Sequence, residues 1–250
     1  MIYSCASHIG KIRKNNEDYC RGEILNTEGS DIVGIFAMAD GMGGHKKGEV
    51  ASKLAVENII NFLKENLLQS KNIKIDYIDD IIKQAYNSVN SIIYNKSINN
   101  IEYDGMGTTL TTAIVYKDNL YVANVGDSRC YLLHRGSFDK ITIDHSIVEE
   151  LVRANIITES EARVHPRRNH ITRAMGTDEM VIVDIFKYNL EKEDIILLAT
   201  DGLTGFVDDE KIRAIIGKDE NIETLSDELI NIANDISGKD NVSVILIKHN

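Results

Sequence analysis

An α+β layered sandwich is the fold class that this sequence predicts, on three observations. β-rich runs lie on both sides of one pair of amphipathic helices, regular βαβ alternation is missing, and hairpin signals separate the central runs. With 250 residues, 43% of them hydrophobic, the chain can bury a full core, and a single domain over 1–250 is the simplest count.

Residues 1–7 and 20–25 read as short strands. The apolar run over 31–39, Ile-Val-Gly-Ile-Phe-Ala-Met-Ala after Asp31, reads as a buried strand that stops at Asp40-Gly41. From 49 to 64 the apolar positions Ala51, Ala55, Ile59 and Phe62 recur at helical spacing, as do Ile78, Ile82, Ala85, Val89 and Ile92 in the next segment. Runs over 108–115, 119–125, 130–134 and 138–143 are β-rich and broken by Lys-Asp, Gly-Asp-Ser and Arg-Gly-Ser. Residues 144–176 are polar, with two short helical patterns and the only proline, Pro166. Strands resume at 181–187 and 195–199, a helix covers about 222–236, and 242–247 closes as a strand.

Composition removes several classes of function. A formal charge of -11 repels nucleic-acid backbones. Cys5, Cys20 and Cys130 are odd in number and widely spaced, which supports neither a disulfide framework nor a zinc ribbon and fits a reducing cytoplasm. No signal peptide opens the chain and no run reaches the roughly 18 apolar residues of a membrane span, so a cytoplasmic protein without membrane insertion is expected.

Three aspartates stand at strand ends: Asp40 before Gly41, Asp201 before Gly202, and Asp240 before Asn241-Val242. A strand holds its terminal side chain rigidly, and a following glycine lets the chain turn with φ > 0. Taken singly, Asp-Gly is a turn signal. The run Asp40-Gly41-Met42-Gly43-Gly44-His45 gives more backbone freedom than a connection needs, which favours close approach of a metal or phosphate. Carboxylates converging there would repel one another unless a divalent cation sat between them, and an all-oxygen set selects Mg2+ or Mn2+ over Zn2+.

These residues resemble the motifs of the type 2C metal-dependent protein phosphatase family, in its bacterial form, along the whole chain. Arg13-Lys14-Asn15-Asn16-Glu17-Asp18 resembles R-x-x-N-E-D, and Asp40 to His45 with Gly48-Glu49-Val50-Ala51-Ser52 resembles D-G-M-G-G-H-x-x-G-E-x-A-S. Gly107-Thr108-Thr109, Gly126-Asp127-Ser128-Arg129, Asp144-His145-Ser146, Thr200-Asp201-Gly202-Leu203 and Asp240-Asn241-Val242 follow in the family's order. The resemblance implies a central antiparallel β-sandwich flanked by helical pairs, in α-β-β-α layers, with a polar flap over about 144–180. It also implies hydrolysis of phosphoserine and phosphothreonine in proteins, opposite a Hanks-type serine/threonine kinase of a low-GC bacterium.

For the site, the resemblance implies two Mn2+ or Mg2+ ions that share Asp40, with the Gly41 carbonyl on one and Asp201 and Asp240 completing the other. Two such ions about 3.5–4 Å apart lower the pKa of a water between them and aim it at phosphorus. Arg13 matches the arginine that grips the substrate phosphate, which suits the guanidinium fork. Glu17 and Asp18 match acidic residues that orient coordinated waters. Asp127 matches the carboxylate of a third, weaker ion, with Asp201 as its partner and Asp144 as another candidate. Met42 stands where eukaryotic relatives often carry a histidine thought to protonate the leaving alcohol, so His45 or a coordinated water are the remaining acids. Arg163, His165, Arg167, Arg168 and Arg173 make the flap locally basic, either to guide a phosphopeptide or simply as a solvated loop.

Other phosphatase chemistries lack their residues. Six positions after Cys5, Cys20 and Cys130 stand Lys11, Asn26 and Gly136 rather than the arginine of a cysteine phosphatase. GDxHG and GNHE blocks and a DxDx(T/V) loop are also missing. Two alternatives remain: an inactive phosphatase fold that only binds phosphoproteins or regulates a partner, and a dedicated phosphatase of a small regulatory protein in a stress or sporulation circuit, whose relatives usually carry extra sensory domains.

Overall fold

The computed structural model of the chain describes residues 1–26, 31–43, 46–68 and 77–250. Among them the strands form two antiparallel sheets. One runs in spatial order β1 (Ile2–His8), β11 (Val242–Lys248), β10 (Ile195–Ala199), β7 (Arg129–His134) and β8 (Ser137–Lys140). The other runs β2 (Asp18–Asn26), β3 (Ile32–Met42), β5 (Leu110–Tyr116), β6 (Asn119–Val125) and β9 (Asp184–Asn189), with the short β4 (Gly107–Thr108) on the far end of β3.

Strand alternation assigns each residue to a layer. In β3, Phe36 and Met38 face the other sheet and join Ala113, Val122, Leu198 and Ile245 in the inter-sheet core. Val33, Ile35, Ala37 and Ala39 face the opposite way, onto α1 (Lys46–Leu68) and α2 (Ile78–Asn99). Both faces are covered, which is why the sequence of β3 is continuously apolar rather than alternating. The outer face of the first sheet meets α5 (Asp201–Thr204), α6 (Asp209–Ile216) and α7 (Ile222–Ile236) through Leu197, Leu203, Ile212, Leu229 and Val244. The layers are therefore α-β-β-α, as expected. Each fully buried Ile or Leu here contributes roughly 1.5–3 kcal/mol of transfer free energy.

Two readings of the sequence need correction. β3 does not stop at Asp40: it continues to Met42, because Asp18 pairs with Asp40 on one side and Thr108 with Gly41 on the other. Gly41 and Gly202 are not left-handed. Among the described glycines of the first motif, the left-handed one is Gly43, at φ +120°. A Cβ on Gly41 would overlap the Gly48 carbonyl oxygen, and one on Gly202 the Asn241 carbonyl oxygen, so both glycines serve close backbone approach. The sequence reading misses two helices: α5 is a single turn, too short to show a period, and α6 spans only eight residues although Ile212, Ile215 and Ile216 recur at helical spacing.

The polar segment after β8 holds α3 (Ile147–Arg153) and α4 (Glu159–Val164). Ser146 caps α3 and a Thr158–Glu161 capping box opens α4. The segment returns to the body at Met175, bridged to Thr108, and at Gly176, whose N–H donates to Asn90 Oδ1 at 2.7 Å. Arg163 pairs with Asp208 and Arg173 with Asp184, so two of its basic residues are engaged within the chain.

Candidate active site

Polar groups that the two sheets bring to one edge of the sandwich build a cavity of about 280 Å3. Arg13, Glu17, Asp40, Gly41, Asp127, Asp201 and Asp240 line it, and so does Asn169 from the polar segment. The sequence-predicted carboxylates therefore converge. His45 lies outside the described residues.

Asp40 is held by its backbone. Its N–H donates to Thr109 Oγ1 at 2.8 Å, and its carbonyl accepts from Thr109 N–H at 2.9 Å and from Thr108 Oγ1 at 2.8 Å. Ser128 Oγ lies 2.9 Å from the same Thr109 hydroxyl and links the support to the turn that carries Asp127. That turn is clamped by His145, whose backbone N–H donates to the Gly126 carbonyl at 2.9 Å. The ring Nδ1 of His145 accepts from Gly126 N–H at 3.1 Å, which leaves the proton on Nε2, 3.1 Å from Asp184 Oδ2.

The Arg13 loop is fixed by Asn241. Its Oδ1 accepts from Glu17 N–H at 2.8 Å, and its Nδ2 donates to the carbonyls of Ile9 at 2.9 Å and Asn15 at 3.0 Å. Arg13 Nη2 lies 2.9 Å from the Asp240 carboxylate. Asp18 ties the sheets together: Ser243 N–H donates to Thr200 Oγ1 at 3.0 Å, so the Thr200 hydroxyl donates onward to Asp18 Oδ2 at 2.9 Å.

Electrostatically the cavity is overloaded with negative charge. Burial pushes Asp18 up to about 7, against hydrogen bonds from Ser243 and Thr200 and with further upward pressure from Asp201 and Asp240. Burial and then Asp240 push Asp201 up to about 6, and burial, Asp201 and Asp144 push Asp127 up to about 8. Asp40 is driven well above the carboxylate range by burial and by the charges of Asp18, Asp201, Asp127 and Asp240. Arg13 holds its proton more tightly because of its hydrogen bond to Asp240. Asp144 is committed elsewhere, with Arg129 Nε at 2.9 Å and Nη2 at 2.7 Å from its Oδ2.

Do these residues fit divalent cations? Asp18 Oδ1 and Asp201 Oδ1 are buried acceptors without a hydrogen-bond partner. An unsatisfied carboxylate oxygen costs several times less when it faces a cation, and the donors here are all oxygens. The set fits hard divalent ions. Among the described residues, no three His, Cys, Asp or Glu side chains already close on a single point at ligand distance. The Asp240 carboxylate is turned to Arg13, and a cation would compete with that guanidinium.

Sequence reasoning did not assign roles to Thr109, Ser128, Thr200, Asn241 and Arg129. All of them stand inside the quoted motifs, but their hydrogen bonds join residues far apart in the chain, and spacing carries no trace of such bonds.

The protein phosphatase 2C family profile matches residues 6–231. A serine/threonine phosphatase stp of Listeria welshimeri is 36% identical over 241 residues, covering 96% of this chain and 93% of that protein. Protein phosphatase PhpP of Streptococcus pneumoniae is 30% identical over 250 residues, covering 100% and 98%. The crystal structure of serine/threonine phosphatase Stp1 from Staphylococcus aureus superposes with a TM-score of 0.89 at 37% identity, covering 99% of this chain and 94% of that one.

Proposed function

Because the chain belongs to the protein phosphatase 2C family and is a protein-serine/threonine phosphatase, we propose that it hydrolyses phosphoserine and phosphothreonine in proteins with two Mn2+ or Mg2+ ions, in the cytoplasm, reversing a Hanks-type kinase. The observation that carries the metal dependence is the convergence of Asp40, Asp127, Asp201 and Asp240 on one cavity, with Asp201 Oδ1 and Asp18 Oδ1 buried and unsatisfied.

Asp40, the Gly41 carbonyl, Asp201 and Asp240 would hold the two ions, and Asp127 with Asp201 a third. The ions would supply positive charge that offsets the carboxylates and lowers the pKa of a nucleophilic water. Every other role falls to the chain. Thr108 and Thr109 fix the backbone of Asp40, so its carboxylate is positioned before substrate arrives. Asp18, whose carboxylate accepts from Thr200, and Glu17, whose backbone is held by Asn241, would orient waters bound beside the ions. Arg13 leaves Asp240 to bind the phosphoryl oxygens, its loop being anchored by Asn241 on both flanks. We take residues 144–180 as a flap whose Asn169 reaches the cavity rim.

The alternative of an inactive binding module would relax the need for a complete acidic set. Asp40, Asp201 and Asp240 all face the one cavity, which is costly without cations and speaks for catalysis.

The direct test is hydrolysis of a phosphothreonine peptide in Mn2+, with turnover expected on the order of 1–10 s⁻¹. A purified, folded protein that released no phosphate from any phosphoserine or phosphothreonine peptide would refute the activity. Arg13→Ala is expected to raise KM by about 10–100-fold with a smaller change in kcat, matching ~1.5–3 kcal/mol for a charge-assisted hydrogen bond. An unchanged KM would show that the guanidinium serves Asp240 alone.

A further inference from the structure

Cys5 and Cys20 play no part in the reaction above, yet the fold brings them together. They lie on β1 and β2, the edge strands of opposite sheets. These strands meet at Tyr3, whose hydroxyl donates to the Gly22 carbonyl at 2.7 Å and whose ring packs edge-on against Phe36 at 5.1 Å. A Cβ on Gly22 would sit 2.7 Å from the Tyr3 ring, so the chains touch at that point. Two residues onward along β1 and two back along β2 stand Cys5 and Cys20, each on the same face of its strand as Tyr3 and Gly22, so the seam places the two side chains opposite one another. Beyond them Asn16 Nδ2 donates to Ser7 Oγ at 2.8 Å and closes the same seam.

We propose that Cys5 and Cys20 form a thiol pair that peroxide oxidises to a reversible intramolecular disulfide, stapling the two sheets at the base of the Arg13 loop. Cys5 is exposed and Cys20 half-buried, which sorts the roles: Cys5 is the attacking thiol and Cys20 the resolving one. The hydrogen bond from Cys20 holds Cys5 below the ordinary thiol range, and the same contact, with burial, pushes Cys20 far above it. The Cys5 thiolate attacks one oxygen of hydrogen peroxide, the O–O bond breaks, and hydroxide leaves and takes up a proton as water. The resulting sulfenic acid is neutral, so the main cause that raised Cys20 is gone. The Cys20 sulfur then attacks Cys5 sulfur, the S–O bond breaks, and a second water carries off the Cys20 proton. Two thiols and one peroxide thus become one disulfide and two waters.

The bridge encloses the loop that bears Arg13 and ends two residues beyond Asp18 on the same face of β2. It therefore restricts the loop from which Arg13 must reach substrate.

The test uses intact protein treated with hydrogen peroxide. Monomer mass is expected to fall by two hydrogens, peptide mapping to join Cys5 to Cys20, and dithiothreitol to reverse both. Cys5→Ser and Cys20→Ser should each prevent the loss, while Cys130 stays reduced within its buried site. Oxygen adducts on Cys5 with Cys20 still alkylatable, or a bridge between two copies, would overturn the proposal, and mapping of the unaltered protein decides it even if a variant misfolds. These readouts do not depend on phosphatase activity. In the active enzyme the bridged form is expected to show KM raised several-fold and restored by reductant; an unchanged KM would overturn the link to Arg13.

Discussion

Asp40→Asn is expected to lower kcat/KM by at least about 10³-fold, which is ~4 kcal/mol of transition-state stabilisation, while the protein stays folded. The substitution keeps the shape of the side chain and leaves its backbone bonds to Thr108 and Thr109 intact. What it removes is a carboxylate that burial first, and then the charges of Asp18, Asp201, Asp127 and Asp240, hold well above its ordinary range. An amide also turns N–H donors toward a point where a cation is to sit. Metal affinity should therefore fall together with turnover.

The same repulsion sets the sign of a second effect of this variant. Without cations, the native protein carries the mutual repulsion of its carboxylates, and Asn at position 40 relieves part of it. Metal-free Asp40→Asn should melt above metal-free wild type, although it is the dead enzyme; functional sites commonly trade stability in this way. Calorimetric Mn2+ titration, kcat/KM and melting curves on both proteins check all three statements. Ordinary turnover in the variant would remove Asp40 from the centre of the reaction.

How far the site was legible in the sequence depends on the range of the interaction. The run from Ile32 to Ala39 announces a strand covered on both faces, and the spacing of Ala51, Ala55 and Ile59 announces the helix above it, because both periods are local. The acidic residues at strand ends are likewise visible. That β3 runs on to Met42 could not be seen, since it depends on pairing with Thr108, far along the chain. Gly41 showed that something small was needed, but the neighbour it admits is the Gly48 carbonyl across the turn, so the sequence suggested a left-handed bend where the fold requires contact. Asn241 looks like an ordinary turn residue in sequence; only the folded chain shows its amide holding Ile9, Asn15 and Glu17. The pairing of Arg13 with Asp240 is hidden for the same reason, and it changes the reading of Arg13 from a waiting phosphate ligand to one that must first let go.

Removing divalent cations is expected to abolish activity and to expose an inverted pH dependence of stability. Asp201 at about 6, Asp18 at about 7 and Asp127 at about 8 all sit above the ordinary carboxylate value of 3.8. Between pH 4 and 8 the native state then binds more protons than the unfolded chain, so stability falls as pH rises. The contribution of these groups is fully present below the unfolded value and is lost as pH climbs through the folded values. Each pKa unit corresponds to ~1.4 kcal/mol, and the open cavity face of Asp40, Asp127 and Asp201 lets solvent screen part of it. A net loss of a few kcal/mol translates to a Tm lower by roughly 5–10 °C at pH 8 than at pH 5.5 for a chain of this size. Saturating Mn2+ should flatten the slope, because a cation holds the carboxylates ionised in the folded state and so returns their folded pKa values below the unfolded ones. Thermal melts in chelator and in Mn2+ across that pH range distinguish the outcomes. If the chelated protein grew more stable toward pH 8, the cavity would not be carrying the buried charge that makes it a site for cations.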